Sequence, residues 1–179
     1  MKDLQKQIDE LQKKVDALEK KQPKDKLSMV IFSGSLDKIL AAFIIASGSA
    51  AMGSEVTMFF TFWGIAALRK KIKVKKNLIS KMFGIMLPTG SKQLKLSRMN
   101  MAGMGTAMMN NLMKKKGILS FEEMLEIAEE FEIKIFICEM SMDLMGLKPE
   151  EMLDYKYLDY CGVAKFLAEA DESRNTLFI

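Results

Sequence analysis

Residues 27–62 read LSMVIFSGSLDKILAAFIIASGSAAMGSEVTMFFTF, and this stretch decides the fold. A short β-branched apolar run, Leu27 to Phe32, passes through Ser33-Gly34-Ser35 into a long apolar helical pattern from about Leu36 to Met52. A second apolar run, Glu55 to Phe62, follows. Apolar runs that are continuous rather than alternating mark strands buried on both faces, so the stretch reads as strand, helix, strand in a parallel sheet. The uncharged residues Ile39–Ser54 invite a transmembrane reading. They contain two glycines and several serines, however, and Lys38 and Glu55 bound them below the roughly 20 residues a span needs. A buried core helix is the expectation.

The same alternation continues downstream. A short helix runs to Leu68, an amphipathic helix is expected over 77–87, Pro88-Thr89-Gly90 is a turn, and a methionine-rich helix covers 98–116. Ser120 with Glu123 three residues later forms a capping box that opens a helix to about Phe131. Strands are expected at Ile133–Ile137, Tyr155–Tyr160 and Thr176–Ile179, with helices at Met140–Met145 and Val163–Ala170. Five strands alternating with helices are too few for a barrel. The expected fold is therefore α/β: a flavodoxin-like doubly wound sheet of about five parallel strands in the order 2-1-3-4-5.

Upstream, Leu4, Ile8, Leu11, Val15 and Leu18 step by 4, 3, 4 and 3, a heptad seam that favours a parallel two-stranded coil. The alternative is a helix packed on its own domain or free in solvent. The expected organisation is a coiled-coil helix over 1–22, a linker over 23–26, and an α/β domain over 27–179 with a methionine-rich helical insertion at about 77–116.

Composition narrows the chemistry. The chain has 179 residues, 27 Lys and Arg against 23 Asp and Glu, two cysteines and no histidine. A net charge of +4 is too mild for a dedicated nucleic-acid binder, so no nucleic-acid partner is expected. Absence of histidine removes the Ser-His-Asp triad, the Cys-His pair and histidine-ligated zinc. No metal or cofactor is expected. Two cysteines make no disulfide framework, and the charged N-terminus is no signal peptide, so a reducing cytoplasm is the expected location.

Cys138 ends the third strand, where ligand sites form in open parallel sheets. The segment from about Glu139 to Ser141 turns helical, so backbone N–H groups there would stabilise a thiolate, and the side chain is expected to face solvent or a cleft. The competing reading is a small buried hydrophobe. Cys161, after the fourth strand, lies near Cys138 if those strands are neighbours, either as a relay or resolving thiol or as a packed residue. Gly34, Ser35 and Asp37 occupy the equivalent turn after strand one, and with Ser141 they are candidate substrate or anion-binding residues. Met99, Met101, Met104, Met108, Met109 and Met113 suggest a core or subunit-interface stripe rather than a copper(I) site. The basic run RKKIKVKK, 69–76, is either solvated or a contact for anionic lipid, which leaves peripheral membrane contact open.

SGSLDK after strand one, AAFIIASGSAAMGSEVTMFFTFWG, CEMSMDLMG, and DYCGVAKFLAEA with TLFI resemble the DsrE/DsrF-like sulfur-relay family of TusD relatives. Within it, they resemble the branch labelled DsrE-type peroxiredoxin-family or sulfurtransferase-like. The resemblance covers about Lys26 to Ile179. It implies a flavodoxin-like fold, homo-oligomerisation, and a cysteine after the third strand, here Cys138, that accepts and passes on sulfane sulfur as a persulfide. Donor and acceptor proteins or small sulfur compounds are the implied partners. The alternatives from the residues themselves are a non-catalytic oligomeric interaction module and a peripheral membrane adaptor.

Overall fold

The computed structural model describes residues 2–19, 23–72, 84, 86–90 and 93–179, with only the backbone at 2, 3, 6 and 17–19. Helix α1 (Lys2–Glu19) carries the heptad pattern, with Leu4, Ile8, Leu11 and Val15 exposed. Strand β1 (Lys24–Ile31) follows, starting inside the expected linker. The reason is electrostatic: the buried Lys26 ammonium pairs with Glu169, and Lys24 Nζ donates to Glu172 at 2.8 Å. Residues that look like a polar tether are thus tied into the sheet.

The domain continues through α2 (Leu36–Ala51), β2 (Glu55–Phe60) and a 3-10 segment, Phe62–Leu68. A 3-10 turn at Met101–Gly103 leads into α3 (Met104–Lys115). Then come α4 (Phe121–Glu130), β3 (Lys134–Cys138), α5 (Glu139–Met145), β4 (Leu158–Cys161), α6 (Val163–Asp171) and β5 (Ser173–Phe178). The amphipathic helix expected over 77–87 falls mostly outside the described residues. The methionine-rich helix begins later than expected, because Ala102 and Gly103 take positive φ values of 57° and 98° and break it from the residues before. Ile39, Ala42, Phe43 and Ala46 of α2 are completely buried, as a core helix requires, and no described helix is long and apolar enough to cross a membrane.

All five strands are parallel, which bears out the α/β doubly wound class, but their order is β4-β3-β2-β1-β5. The expected order 2-1-3-4-5 is corrected: β2 is central, and β5 joins the free side of β1. Apolar runs identify buried strands without saying which edge a later strand joins. Polar contacts across the chain accompany β5 at that edge, Ser28 Oγ with Ser173 Oγ at 2.8 Å and Arg174 with Asp25 at 3.8 Å, and the two lysine pairs above hold the residues just before it.

The strand period of 2 sorts side chains onto two faces. Leu27, Met29, Ile31, Val56, Met58, Phe60, Ile135 and Ile137 face the larger core, which includes residues of α2, α4 and α5. Phe59, Phe136, Cys138 and Cys161 face the other side, beneath Phe166 of α6. The chain therefore steps from β1 to β4 with its helices on one face, and α6 returns across the opposite face.

Ser120 caps α4 as expected. Its hydroxyl accepts the Glu123 N–H at 3.3 Å, and the Glu123 carboxylate accepts the Ser120 N–H at 2.6 Å. Ser120→Ala is expected to lower the unfolding free energy by about 1 kcal/mol, read from denaturant titration with an unchanged m-value.

Candidate functional site

After β3 the chain leaves into α5 on one face of the sheet; after the neighbouring β4 it leaves into α6 on the other. Adjacent strands whose connections diverge in this way open the switch-point crevice where α/β sheets place ligands. Cys138 and Cys161 are the last residues of those two strands and are direct register partners. Parallel strands run about 5 Å apart, so the two Cα atoms stand at a separation compatible with sulfur exchange or a disulfide. Both cysteines are free, on the same face, in one cluster with Phe59, Phe136 and Phe166.

The pair lies under a roof. Cys138 is 4% and Cys161 5% exposed, so the expectation that Cys138 faces solvent or an open cleft does not hold in the single chain. The cause is α6, whose Phe166 ring stacks on Phe59 with centroids 4.9 Å apart. Lys165 of the same helix sets its ammonium 4.6 Å from the Phe136 ring centroid and 2.6 Å from an Asp159 carboxylate oxygen. The Lys165 hydrogen bond holds the Asp159 carboxyl below its usual range.

Burial pushes the Cys161 thiol up to about 11, against the opposing field of Lys165. A thiol whose folded value is raised favours the native state while protonated, and that contribution is lost as pH climbs from about 9 through 11. Alkylation of Cys161 in the folded protein is therefore expected to be very slow at pH 7.5 and to accelerate steeply toward pH 11. Peptide mapping after iodoacetamide treatment reads this directly; a rate that levels off near pH 9 would contradict it.

The other candidate residues lie elsewhere. Gly34 and Ser35 line a cavity of about 850 Å³ beyond the carboxyl ends of β1 and β2, together with Trp63, Leu96, Thr106 and Asn110. Gly34 is required there, because a Cβ at that position would stand 2.3 Å from the Trp63 carbonyl oxygen. The hydroxyl of Ser35 bonds to Ser33 Oγ at 2.9 Å instead of capping α2. Asp37 is engaged by the 95–97 segment: Ser97 N–H and Oγ–H donate to its carboxylate at 2.8 and 2.6 Å. Burial works against the charge of Asp37, but these bonds outweigh it and hold the carboxyl below its usual range.

The Lys95 carbonyl likewise accepts the Leu36 N–H, so the start of α2 is already partly covered from within the chain. Ser141 is fully buried, with its Oγ 2.9 Å from Thr61 Oγ1. The structure thus brings the two thiols together and leaves Gly34, Ser35, Asp37 and Ser141 in other surroundings.

Sequence reading missed Phe166, which packs in one cluster with the thiols, and Lys165, whose charge acts on Cys161. The amphipathic pattern after Gly162 marks a helix there, but which strand ends it covers depends on the crossover from β4 to β5. Among the described residues no group of three or more Cys, Asp or Glu side chains is placed to hold a metal ion.

The sequence matches the model of the DsrE/DsrF/DrsH-like family over residues 23–178. It is 49% identical over 156 residues to the uncharacterized protein YrkE of Bacillus subtilis, covering 86% of this chain and 96% of that protein. It is 39% identical over 158 residues to the sulfur carrier protein DsrE2 of Allochromatium vinosum, covering 86% of this chain and 98% of the relative. Among solved structures, the ychN protein from E. coli aligns over 86% of this chain and 98% of its own, with a TM-score of 0.49 and 9% identity.

Proposed function

The chain belongs to the DsrE/DsrF/DrsH-like family, and from that premise we propose that it carries sulfane sulfur as a persulfide on Cys138. The observation that carries this reading is the position of Cys138, the last residue of β3 at the divergence of two connections, with a second thiol in register on β4. The 39% identical relative named as a sulfur carrier supports it.

In the proposed cycle the Cys138 thiolate attacks the outer sulfur of a donor persulfide, R–S–SH. The donor S–S bond breaks, Cys138–S–SH forms, and RS⁻ leaves. An acceptor thiolate then attacks the outer sulfur of the Cys138 persulfide, takes it, and returns the Cys138 thiolate. No net oxidant or reductant is consumed. Phe59, Phe136 and Phe166 keep the carried sulfur away from water and stray oxidants. Cys161, protonated at neutral pH, serves as a weak S–H donor to the neighbouring sulfur. Because α6 covers the thiols, loading requires α6 to move aside, a local opening of the kind a nine-residue helix permits.

A second reading has its own support: at 4% exposure, Cys138 suits a packing role in an interaction module. Cyanolysis separates the two. Chain treated with polysulfide and freed of excess reagent is expected to release one thiocyanate per chain on addition of cyanide. A packing cysteine releases none.

A further inference from the structure

Residues 56–121 contain no Asp or Glu, whereas thirteen Lys and Arg fall between Arg69 and Lys116. The whole chain has 27 basic and 23 acidic residues, so 14 basic accompany 23 acidic ones elsewhere in the sequence, and a mild net charge of +4 conceals a strongly uneven distribution along the chain. This cationic segment includes α3, whose outer side is apolar. Met104, Met108 and Leu112 succeed one another at i, i+4 and i+8 and are 63%, 69% and 47% exposed, and Met101 before them is 65% exposed. The opposite side of the helix places Met113 in the core. Helices on a globular body show the reverse pattern, polar side outward. Exposed Arg98 precedes the stripe, and exposed Lys114, Lys115 and Lys116 close it.

We propose that the outer side of α3 docks on an anionic membrane surface, with Met101, Met104, Met108 and Leu112 entering the interface and Arg98 and Lys114–Lys116 meeting the headgroups. Charge selects this occupant. A second copy, joined by the same patch in a two-fold interface, would bring Arg98 and Lys114–Lys116 of both copies toward one another, while an anionic leaflet supplies opposite charge to all of them. Shape agrees, since the patch is the convex side of a helix, suited to entering a lipid surface. Flexible thioethers suit an irregular acyl boundary. Because Met113 anchors α3 in the core that lies on the sheet face opposite Cys138 and Cys161, docking leaves the α6 side turned toward water.

The test is flotation of the full chain with phosphatidylcholine vesicles, with and without phosphatidylglycerol. Capture is expected only with phosphatidylglycerol and is expected to fall as salt rises. Met108→Glu should weaken it roughly tenfold, and Lys114, Lys115 and Lys116 changed together to Gln roughly 100-fold. Circular dichroism confirms the fold of these surface variants, and membrane-bound wild type should show Met104 and Met108 protected from peroxide oxidation. Equal capture by neutral vesicles, or capture insensitive to Met108→Glu, would overturn the proposal. So would concentration-dependent dimerisation abolished by Met108→Glu without vesicle capture, which would assign the patch to a second copy.

Discussion

Cys138→Ser is expected to reduce stable sulfur loading by at least roughly 100-fold, while Cys161→Ser retains it. The asymmetry follows from the site. The two thiols are register partners, so a donor that reaches one comes within a few ångströms of the other. Cys161 has little thiolate with which to react. With its thiol pushed up to about 11 by burial, Cys161 presents roughly a few thiolates in ten thousand at pH 7.5, too few to replace Cys138 as nucleophile. Quantitative labelling of persulfide after a short polysulfide pulse measures the effect in both variants. Loading that survives in Cys138→Ser and disappears in Cys161→Ser would exchange the two roles. Serine nearly preserves the volume of the thiol, so both variants are expected to fold.

The second large effect concerns stability. Arg69 and Glu151 are 6% and 2% exposed and pair through Arg69 Nη2 and Glu151 Oε2 at 3.0 Å. The guanidinium also donates to the carbonyls of Leu87, Pro88 and Gly84 at 3.2, 3.3 and 3.2 Å, and Glu151 Oε1 accepts the Lys148 N–H at 3.0 Å. One buried cation thus ties Gly84, Leu87 and Pro88 to the turn between α5 and β4.

Removing one partner leaves the other charge buried without its counter-charge, which costs far more than the pair itself contributes. Glu151→Ala is therefore expected to destabilise the fold by about 3–5 kcal/mol, a large share of the 5–15 kcal/mol typical of a domain. Replacing both residues with Met and Leu should cost much less than the sum of the single changes. Denaturant melts of the two single variants and the double variant form the required cycle. A loss below about 1 kcal/mol for Glu151→Ala would show that water reaches Arg69 freely.

Legibility of the fold from sequence depended on range. Continuous apolar strands, the apolar run that became α2, and the Ser120–Glu123 box are local signals, and the corresponding elements formed where their residues placed them. Strand order was not local. It comes with contacts such as Lys26 of β1 with Glu169 of α6, 143 residues apart, which no periodicity reveals. The same limit applied to the site. Cys138 and Cys161 were legible as strand-end residues, and their mutual register required only that β3 and β4 be neighbours. Their burial was not legible, because it depends on α6 crossing beneath the sheet to reach β5 beside β1. Asp37 shows the converse: its place at the start of α2 was clear, but its engagement by Ser97, sixty residues away, was not.

Whether Cys138 holds the sulfur is read by peptide mass spectrometry of the folded full chain after a brief exposure to polysulfide. One added sulfur is expected on the peptide containing Cys138, with the Cys161 peptide unchanged and the addition removed by cyanide. A folded chain in which Cys138 remains unmodified while the donor is in excess would contradict it.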